Sequence, residues 1–384
     1  MQFEFATATR IVFGPGRIRE ALATAASLAT RVMVVTGNTP DRAGLLIRDM
    51  QAQNLECNLF PVPGEPTIPV VLKGVQEARS SHSQIVIGYG GGSALDSAKA
   101  IAALMTNPGD PLDYLEVVGR GIPLTQPCAP CICIPTTAGT GSEVTRNAVL
   151  VAPEHRVKVS LRSPRMFPLL AVVDPELTYS LPADITASTG MDAITQLLEP
   201  YVSIAANPAT DALCREGLRR AALWLRIAFW DGKNAEAREN MSLASLFGGL
   251  ALANAGLGAV HGLAAPLGGK HPVPHGTVCA RLLPAVMEVN VRALRARSND
   301  SRALSRYGEI AKLLTGNQSA AAEEGIDWVH SMCSELSVPR LSSFGLAHND
   351  LPDIAEKAQK SSSMKGNPIQ LTFDEIIEIL EISL

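Results

Sequence analysis

The sequence contains few charged residues and no block of charge of one sign. Charged residues make up 18% of its 384 positions, and 33 basic against 37 acidic side chains give a net charge of −4. Without a basic block, nucleic acid is not an expected partner. Hydrophobic residues make up 46%, so a large interior can be buried, and a chain of this length predicts two domains.

Signals for secretion and membrane insertion are also missing. The first twenty residues lack the basic-then-apolar order of a signal peptide, and the seven cysteines do not follow a disulfide framework. The one membrane-like run, Leu243 to Gly262, is mostly alanine and glycine and contains Asn254. We interpret it as a core helix, and we expect a cytoplasmic protein without a membrane partner.

The common nucleotide-binding signatures G-x-G-x-x-G and G-x-x-x-x-G-K-[ST] are not used at the most conspicuous glycine-rich segment. Instead, the buried run 85–89 leads through Gly90, Gly91 and Gly92 into a helix. Ser93 and Asp96 have the spacing of a capping box. Bare backbone amides at a helix N-terminus bind anions, so the segment predicts a diphosphate site.

Alternating strand and helix patterns extend to residue 181, and helical patterns alone follow from Pro182. We therefore predict an α/β domain over residues 1–181, Rossmann-like, with a parallel sheet and flanking helices. An all-α domain is predicted over residues 182–384. The predicted strands are 31–35, 56–62, 147–151, 156–161 and 170–173, and the main predicted helices are 18–29, 43–54, 68–80, 183–204, 211–229, 236–257, 278–296 and 307–314.

The strand at 31–35 ends at Thr36, Gly37 and Asn38. In a nucleotide-binding sheet, an acidic residue at this point grips the ribose 2′-hydroxyl of NAD. Gly37 supplies no carboxylate that would repel a 2′-phosphate, so both NAD and NADP remain candidates. Arg42 is either a phosphate contact or a solvated helix residue.

A loop of small and hydroxyl-bearing residues, 135–145, follows a strand in which Cys131 and Cys133 share a buried face. We interpret these cysteines as packing residues and not as a zinc or redox motif. The loop can wrap the ribose and nicotinamide of a dinucleotide. Its hydroxyl-bearing candidates are Thr136, Thr137, Thr140 and Ser142.

The helical domain contains a candidate metal site. Asp192 and Gln196 lie four residues apart, on one face of a helix, and His261 and His275 come from two further segments. A carboxylate with two imidazoles from separate helices can bind a divalent metal. Histidines near helix ends also act as caps or packing residues, which is the alternative.

Together these motifs resemble the iron-containing (group III) alcohol dehydrogenases, and the resemblance covers most of the chain. It implies the two-domain architecture shared with dehydroquinate synthase, and it implies that the glycines and Ser93 hold the diphosphate of NAD or NADP. It also implies that Asp96 lies beside the nicotinamide and that Lys158 meets a ribose. The first threonines of the hydroxyl-rich loop would contact the cofactor.

The same resemblance implies four metal ligands, of which Asp192, His261 and His275 match. Gln196 stands where the family has a histidine, and Ala265 stands where a histidine assists proton transfer. Three outcomes stay open: a weakened Fe²⁺ or Zn²⁺ site, a site for another divalent ion, or a metal-free pocket in which Gln196, His261 and His271 bind the substrate oxygen. His271 is the candidate for the missing proton relay.

The function implied is NAD(P)-dependent interconversion of a small alcohol with an aldehyde or ketone, in a cleft between the domains. A metal-independent reductase like maleylacetate reductase, and a cofactor-binding protein without turnover, are the alternatives. Dimers are frequent in the family, so a homodimer is expected.

Overall fold

The computed structural model describes residues 2–298 and 301–384, and the chain forms two units. The α/β unit consists of Thr7–Thr137 and Gly141–Thr178. The helical unit consists of Tyr179–Leu384, Ala138–Thr140 and the N-terminal residues up to Ala6. The main division thus falls just before the expected one at residue 181, and residues 138–140 belong with the helices.

The α/β unit is built on a six-stranded parallel sheet with the order β1-β8-β5-β4-β2-β3, beside which β6 and β7 form an antiparallel hairpin. The predicted hairpin is confirmed. The strands are β1 Arg10–Phe13, β2 Arg31–Thr36, β3 Glu56–Pro61, β4 Ile85–Gly90, β5 Cys131–Pro135, β6 Asn147–Ala152, β7 Val157–Arg162 and β8 Leu170–Val173.

Alternating side chains of each central strand enter two apolar cores, one on each face of the sheet. In β2, Val32 and Val34 enter one core while Met33 and Val35 enter the other. Cys131 and Cys133 of β5 lie in the same core with their sulfurs 3.9 Å apart, as packing residues. The helices of this unit are α1 Arg19–Leu28, α2 Gly44–Ala52, α3 Ile68–Ser80, α4 Gly92–Leu104 and the short α5 Pro111–Tyr114.

The sheet changes direction between β2 and β4. From β2 the chain moves outward to β3, whereas from β4 it moves to the other side, to β5. A parallel sheet opens a crevice at the carboxyl ends of the two strands that flank such a switch point, and ligands bind there. In this chain those ends are Gly37 after β2 and Gly90 in β4.

The helical unit contains nine α-helices within the described residues, and its longest buried stretch is in the first of them. Fifteen residues of that helix are buried, including all from Gly190 to Val202. The helices are α6 Ala183–Val202, α7 Pro208–Trp230, α8 Ala235–Ala255, α9 Ala259–Lys270, α10 His275–Arg297, α11 Ser301–Thr315, α12 Ala322–Glu335, α13 Leu351–Gln359 and α14 Phe373–Ser383.

The interpretation of Leu243 to Gly262 as one core helix is wrong. Helix α8 ends at Ala255, and Gly256 takes φ +70°, which ends a helix because L side chains disfavour that conformation. A second helix, α9, begins three residues later at an angle of 99°. Within the described residues no single helix is long and apolar enough to span a membrane. The bent pair α8 and α9 reaches the necessary length and apolar composition only when both helices are counted together.

A buried ion pair joins α7 to α11. The guanidinium of Arg306 donates two hydrogen bonds to Asp211, and it also donates to the backbone oxygen of Tyr201. Both charged side chains are only 10% exposed. Removing one partner from such a pair leaves an uncompensated charge in a poorly solvated place.

We therefore expect Asp211→Ala to lower the free energy of unfolding of the helical unit by about 3 kcal/mol or more. Urea unfolding followed by circular dichroism measures the change. The control is Glu323→Ala, which breaks the exposed pair between Arg295 and Glu323. That variant should unfold at nearly the parent midpoint, and equal effects of the two substitutions would contradict the prediction.

Candidate functional site

The candidate dinucleotide site of the α/β unit lies where β4 turns into α4. Gly91 is the N-cap of the helix and has no side chain to occupy the first-turn amides. A Cβ at Gly90 would lie 2.7 Å from Cβ of Ala94, and a Cβ at Gly91 would lie 3.3 Å from Thr137. Glycine is therefore required at Gly90, and the amides of α4 stay available to an anion.

The predicted capping box at Ser93 and Asp96 is wrong. Helix α4 already begins at Gly92, so Ser93 lies inside the first turn and cannot act as its N-cap. Because glycine caps the helix instead, no side-chain oxygen competes with an anion for the first amides. The N-terminus of α4 is therefore better suited to a diphosphate than a helix end capped by a serine side chain would be.

Asp96 holds the hydroxyl-rich loop. Its Oδ1 accepts a hydrogen bond from Oγ of Ser142 at 2.5 Å, and its Oδ2 accepts from the backbone nitrogen of Val149 at 2.9 Å. Both carboxylate oxygens of Asp96 are thus hydrogen-bonded to the chain, and its expected place beside the nicotinamide stays a prediction. Its observed role is to position the loop.

Lys99 is a structural residue that sequence reasoning missed. It is 1% exposed, and its Nζ donates to the carbonyl of Ser142 and to Oγ1 of Thr145, both at 2.8 Å. Nζ also lies 3.1 Å from Asp96. The i,i+3 spacing of an acid and a lysine on one helix was the available signal.

Other predicted cofactor residues meet at the same end of the sheet. Gly37 is half-buried and Asn38 is exposed, and a Cβ at Gly90 would lie 3.4 Å from the nitrogen of Gly37. The nitrogen of Thr136 donates to the oxygen of Gly90 at 2.9 Å, which brings the loop to the glycines. The structure thus groups the ends of β2, β4 and β5.

The structure also gives the surroundings of Lys158, Arg42 and Thr140. Nζ of Lys158 lies 3.0 Å from Oε1 of Glu65. Arg42 donates to the backbone oxygen of Leu177 at 3.0 Å, and Thr140 is part of the helical unit. The expected contact of Lys158 with a cofactor ribose and the expected cofactor contact of Thr140 stay predictions.

The candidate metal site of the helical unit draws on three helices. Asp192 comes from α6, His261 from the first turn of α9, and His275 is the first residue of α10. Oδ1 of Asp192 lies 3.6 Å from Nε2 of His261 and 3.8 Å from Nε2 of His275. The prediction that three separate helices bring these side chains together agrees with the structure, although His261 begins α9 and does not end α8.

This group suits a divalent cation electrostatically. Asp192 is 1% exposed, and its Oδ1 has no hydrogen-bond partner. Burial raises the pKa of Asp192, but His275 and His261 outweigh burial and hold that pKa below its usual value. A buried carboxylate oxygen without a donor is a suitable ligand for a bound cation.

The tautomer of His261 is set by Glu199, a residue that sequence reasoning missed. Oε2 of Glu199 lies 2.6 Å from Nδ1 of His261, and its Oε1 accepts from the nitrogen of Val260 at 2.7 Å. With Nδ1 bonded to Glu199, Nε2 is the nitrogen that faces Asp192 and is available to a metal in place of its proton. The signal was the position of Glu199, two helical turns after Asp192.

Gln196 contacts Asp192, whereas His271 contacts a different carboxylate. Nε2 of Gln196 donates to Oδ2 of Asp192 at 3.0 Å, within the group. Nε2 of His271 instead lies 3.2 Å from Oδ2 of Asp350, and His271 is not part of the described group of ligand atoms. The alternative of a metal-free pocket formed by Gln196, His261 and His271 stays a prediction. Ala265 follows His261 by one turn of α9.

The hydroxyl-rich loop also contains a buried acid, Glu143. It is 1% exposed, and its Oε2 lacks a hydrogen-bond partner. Burial raises its pKa from 4.5 to about 7, and the charge of Lys99 offsets only part of this effect. The folded protein therefore holds this proton more tightly than the unfolded chain does.

Consequently the ionisation of Glu143 should lower the free energy of unfolding as pH rises from 4.5 to 7, by about 3 kcal/mol in total. The variant Glu143→Gln should lose this part of the pH dependence and exceed the parent in stability at pH 8. Urea unfolding at several pH values measures it, with the exposed Glu154→Gln as the matched control. Parallel pH profiles of parent and Glu143→Gln would contradict the expectation.

Comparison with known proteins covers both units. Residues 8–175 match the family model "Iron-containing alcohol dehydrogenase", and residues 186–384 match "Fe-containing alcohol dehydrogenase family, C-terminal". Alcohol dehydrogenase 4 of Schizosaccharomyces pombe is 38% identical over 337 residues, 87% of this chain and 77% of that protein.

Solved structures of similar proteins have the same fold over the whole chain. A 1,3-propanediol oxidoreductase superimposes with a TM-score of 0.91 at 33% identity, covering 100% of both chains. A sulfoacetaldehyde reductase from Bifidobacterium kashiwanohense in complex with NAD⁺ superimposes with a TM-score of 0.86 at 30% identity, covering 100% of this chain and 99% of that one. These similarities confirm the predicted α/β and all-α architecture and do not favour the two alternative functions. The chain belongs to the iron-containing alcohol dehydrogenase family and is an oxidoreductase of the alcohol dehydrogenase type.

Proposed function

We propose that this protein interconverts a small alcohol and its aldehyde or ketone, with NAD or NADP as the hydride carrier and a divalent metal held by Asp192, His261 and His275. The observation that carries the proposal is the group of ligand atoms around Oδ1 of Asp192, a buried oxygen without a donor. A second observation is the uncapped first turn of α4 at the switch point of the sheet.

The α/β unit would bind and orient the cofactor. A bound nicotinamide dinucleotide supplies the hydride chemistry. The first-turn amides of α4 bind its diphosphate, and Gly37 leaves room at the end of β2 for the ribose. Asp96 and Lys99 keep the hydroxyl-rich loop in place so that Thr136 and Thr137 stay beside the glycines.

The helical unit would polarise the substrate. A bound divalent metal supplies Lewis acidity at the substrate oxygen, worth several kcal/mol in such reactions. Asp192, His261 and His275 hold the metal. Glu199 bonds Nδ1 of His261 and so directs Nε2 toward the metal, and Gln196 fixes the rotamer of Asp192 by bonding its other oxygen.

Metal dependence and reaction type are tested together. Absorbance at the NAD(P)H band should change with short primary alcohols, 1,3-propanediol or simple aldehydes, and chelation or Asp192→Ala should lower kcat on the order of a hundredfold. The exposed Asp353→Ala is the control and should keep both metal and rate. Turnover with maleylacetate alone, unaffected by chelators in protein shown to be metal-free, would overturn the proposal.

Cofactor choice is tested at Gly37. A side chain there meets no atom within 4 Å, so Gly37→Asp should fold and place a negative charge at the end of β2. We expect the ratio of kcat/KM for NADP to that for NAD to fall by about tenfold or more, because the carboxylate repels a 2′-phosphate and accepts from a 2′-hydroxyl. Gly308→Asp carries the same charge change at another open position, in helix α11, and should leave the ratio unchanged. An unchanged ratio in Gly37→Asp would place the ribose elsewhere.

A further inference from the structure

The candidate metal site contains a fourth potential ligand that sequence reasoning did not select. Cys279 follows His275 by one turn of α10, so both side chains project from one face of that helix. Its Sγ lies 3.7 Å from Nε2 of His275 and 3.9 Å from Nε2 of His261. Ligand atoms of Asp192, His261, His275 and Cys279 all lie within 4.8 Å of one another.

We propose that Cys279 is a thiolate ligand of the metal and replaces the histidine that the family has at the position of Gln196. The inference rests on the proposed function, because it concerns the same metal. It goes beyond that function by adding a ligand and by predicting which metal is preferred.

The distances fit this assignment. Zinc bound tetrahedrally by oxygen, nitrogen and one sulfur at its usual bond lengths separates neighbouring ligand atoms by roughly 3.3–3.6 Å. The distances from Asp192 to the two histidines, 3.6 and 3.8 Å, and those from Cys279, 3.7 and 3.9 Å, are close to this range. Small side-chain shifts would complete the geometry.

The charges fit as well. Three members of the group are buried, with Asp192 at 1%, His261 at 8% and Cys279 at 0% exposure, and His275 is half-buried. A carboxylate and a thiolate together neutralise a divalent ion, whereas a carboxylate with neutral ligands alone leaves one positive charge in a poorly solvated place. Binding to the metal releases the thiol proton to solvent.

Gln196 has a different task in this arrangement. Its Nε2 donates to Asp192, so this amide group is bonded to a ligand and orients it. Oδ1 of Asp192 is thereby turned away from Gln196 and left without a donor, at a distance from the histidines that suits a shared cation. Gln196 is thus a positioning residue, and Cys279 of helix α10 supplies the fourth metal ligand.

The sulfur also changes the metal preference. Thiolate is a soft ligand that favours Zn²⁺ over harder ions such as Mg²⁺ or Mn²⁺. We expect the site to select zinc more strongly than one made of carboxylate and imidazole alone.

Cobalt substitution tests the assignment without relying on turnover. Metal-free protein titrated with Co²⁺ should develop a sulfur-to-cobalt charge-transfer band in the near ultraviolet. Cys279→Ala should lose this band while retaining weak visible d–d bands, and its affinity for Zn²⁺ should fall by about tenfold or more. Cys214→Ala is the matched control, since it removes another buried thiol of the helical unit and should keep the band.

A second variant shows whether the loss of zinc affinity in Cys279→Ala comes from the missing ligand and not from misfolding. In the background of Cys279→Ala, the substitution Gln196→His should restore much of the zinc affinity without restoring the charge-transfer band. Circular dichroism and the urea midpoint verify that each variant is folded.

The outcomes separate the two proposals. If the parent binds Co²⁺ without a charge-transfer band, or if Cys279→Ala keeps the band, the cysteine assignment fails while the metal site of the proposed function stands. If the folded parent binds neither Co²⁺ nor Zn²⁺, both fail.

Discussion

A buried carboxylate oxygen without a donor determines the chemistry of the helical unit. Oδ1 of Asp192 lies inside the unit, and two histidine nitrogens lie 3.6 and 3.8 Å from it. Burying a charge in this way is costly unless an opposite charge is present. The surrounding residues act to hold that oxygen in one place: Gln196 bonds the other oxygen of Asp192, and Glu199 orients His261.

The α/β unit presents the reverse situation, because the backbone N–H groups at the start of α4 have no side-chain acceptor. Helix α4 begins at a glycine cap, so its first amides are not satisfied by a side chain. The close approach of Gly90 to Ala94 requires glycine, and the salt-linked residues Asp96 and Lys99 hold the neighbouring loop from inside the unit. The free amides would suit an anion, just as the free carboxylate oxygen of Asp192 would suit a cation.

Gln196 and Cys279 reach the carboxylate and imidazoles of this group from two different helices. The amide at Gln196 cannot replace an imidazole as a donor of equal strength, but it bonds Asp192 directly. On another helix, Cys279 brings a sulfur to the same group of atoms. The two positions are 83 residues apart in sequence, and only folding relates them.

Local patterns predicted most of the architecture. The helix at 68–80 has the predicted bounds, and the strands and hairpin agree within a residue or two, because each follows from local periodicity and turn residues. The break between α8 and α9 was missed, since small residues continue through Gly256 and hide the change of direction. The start of α4 was misplaced because Ser93 and Asp96 match a capping box whose helix has already begun.

The sequence by itself determined the strands, the helices and the glycine-rich turn, because these depend on residue type and on spacing within one element. It singled out Asp192, His261 and His275 as candidate ligands by residue type and by resemblance to the family's motifs. Only the tertiary structure decided that Cys279 and Glu199 join that set, and that His271 lies with Asp350 instead. The reason is physical: side chains on different helices meet according to how the helices pack, and packing depends on the whole core rather than on any one segment.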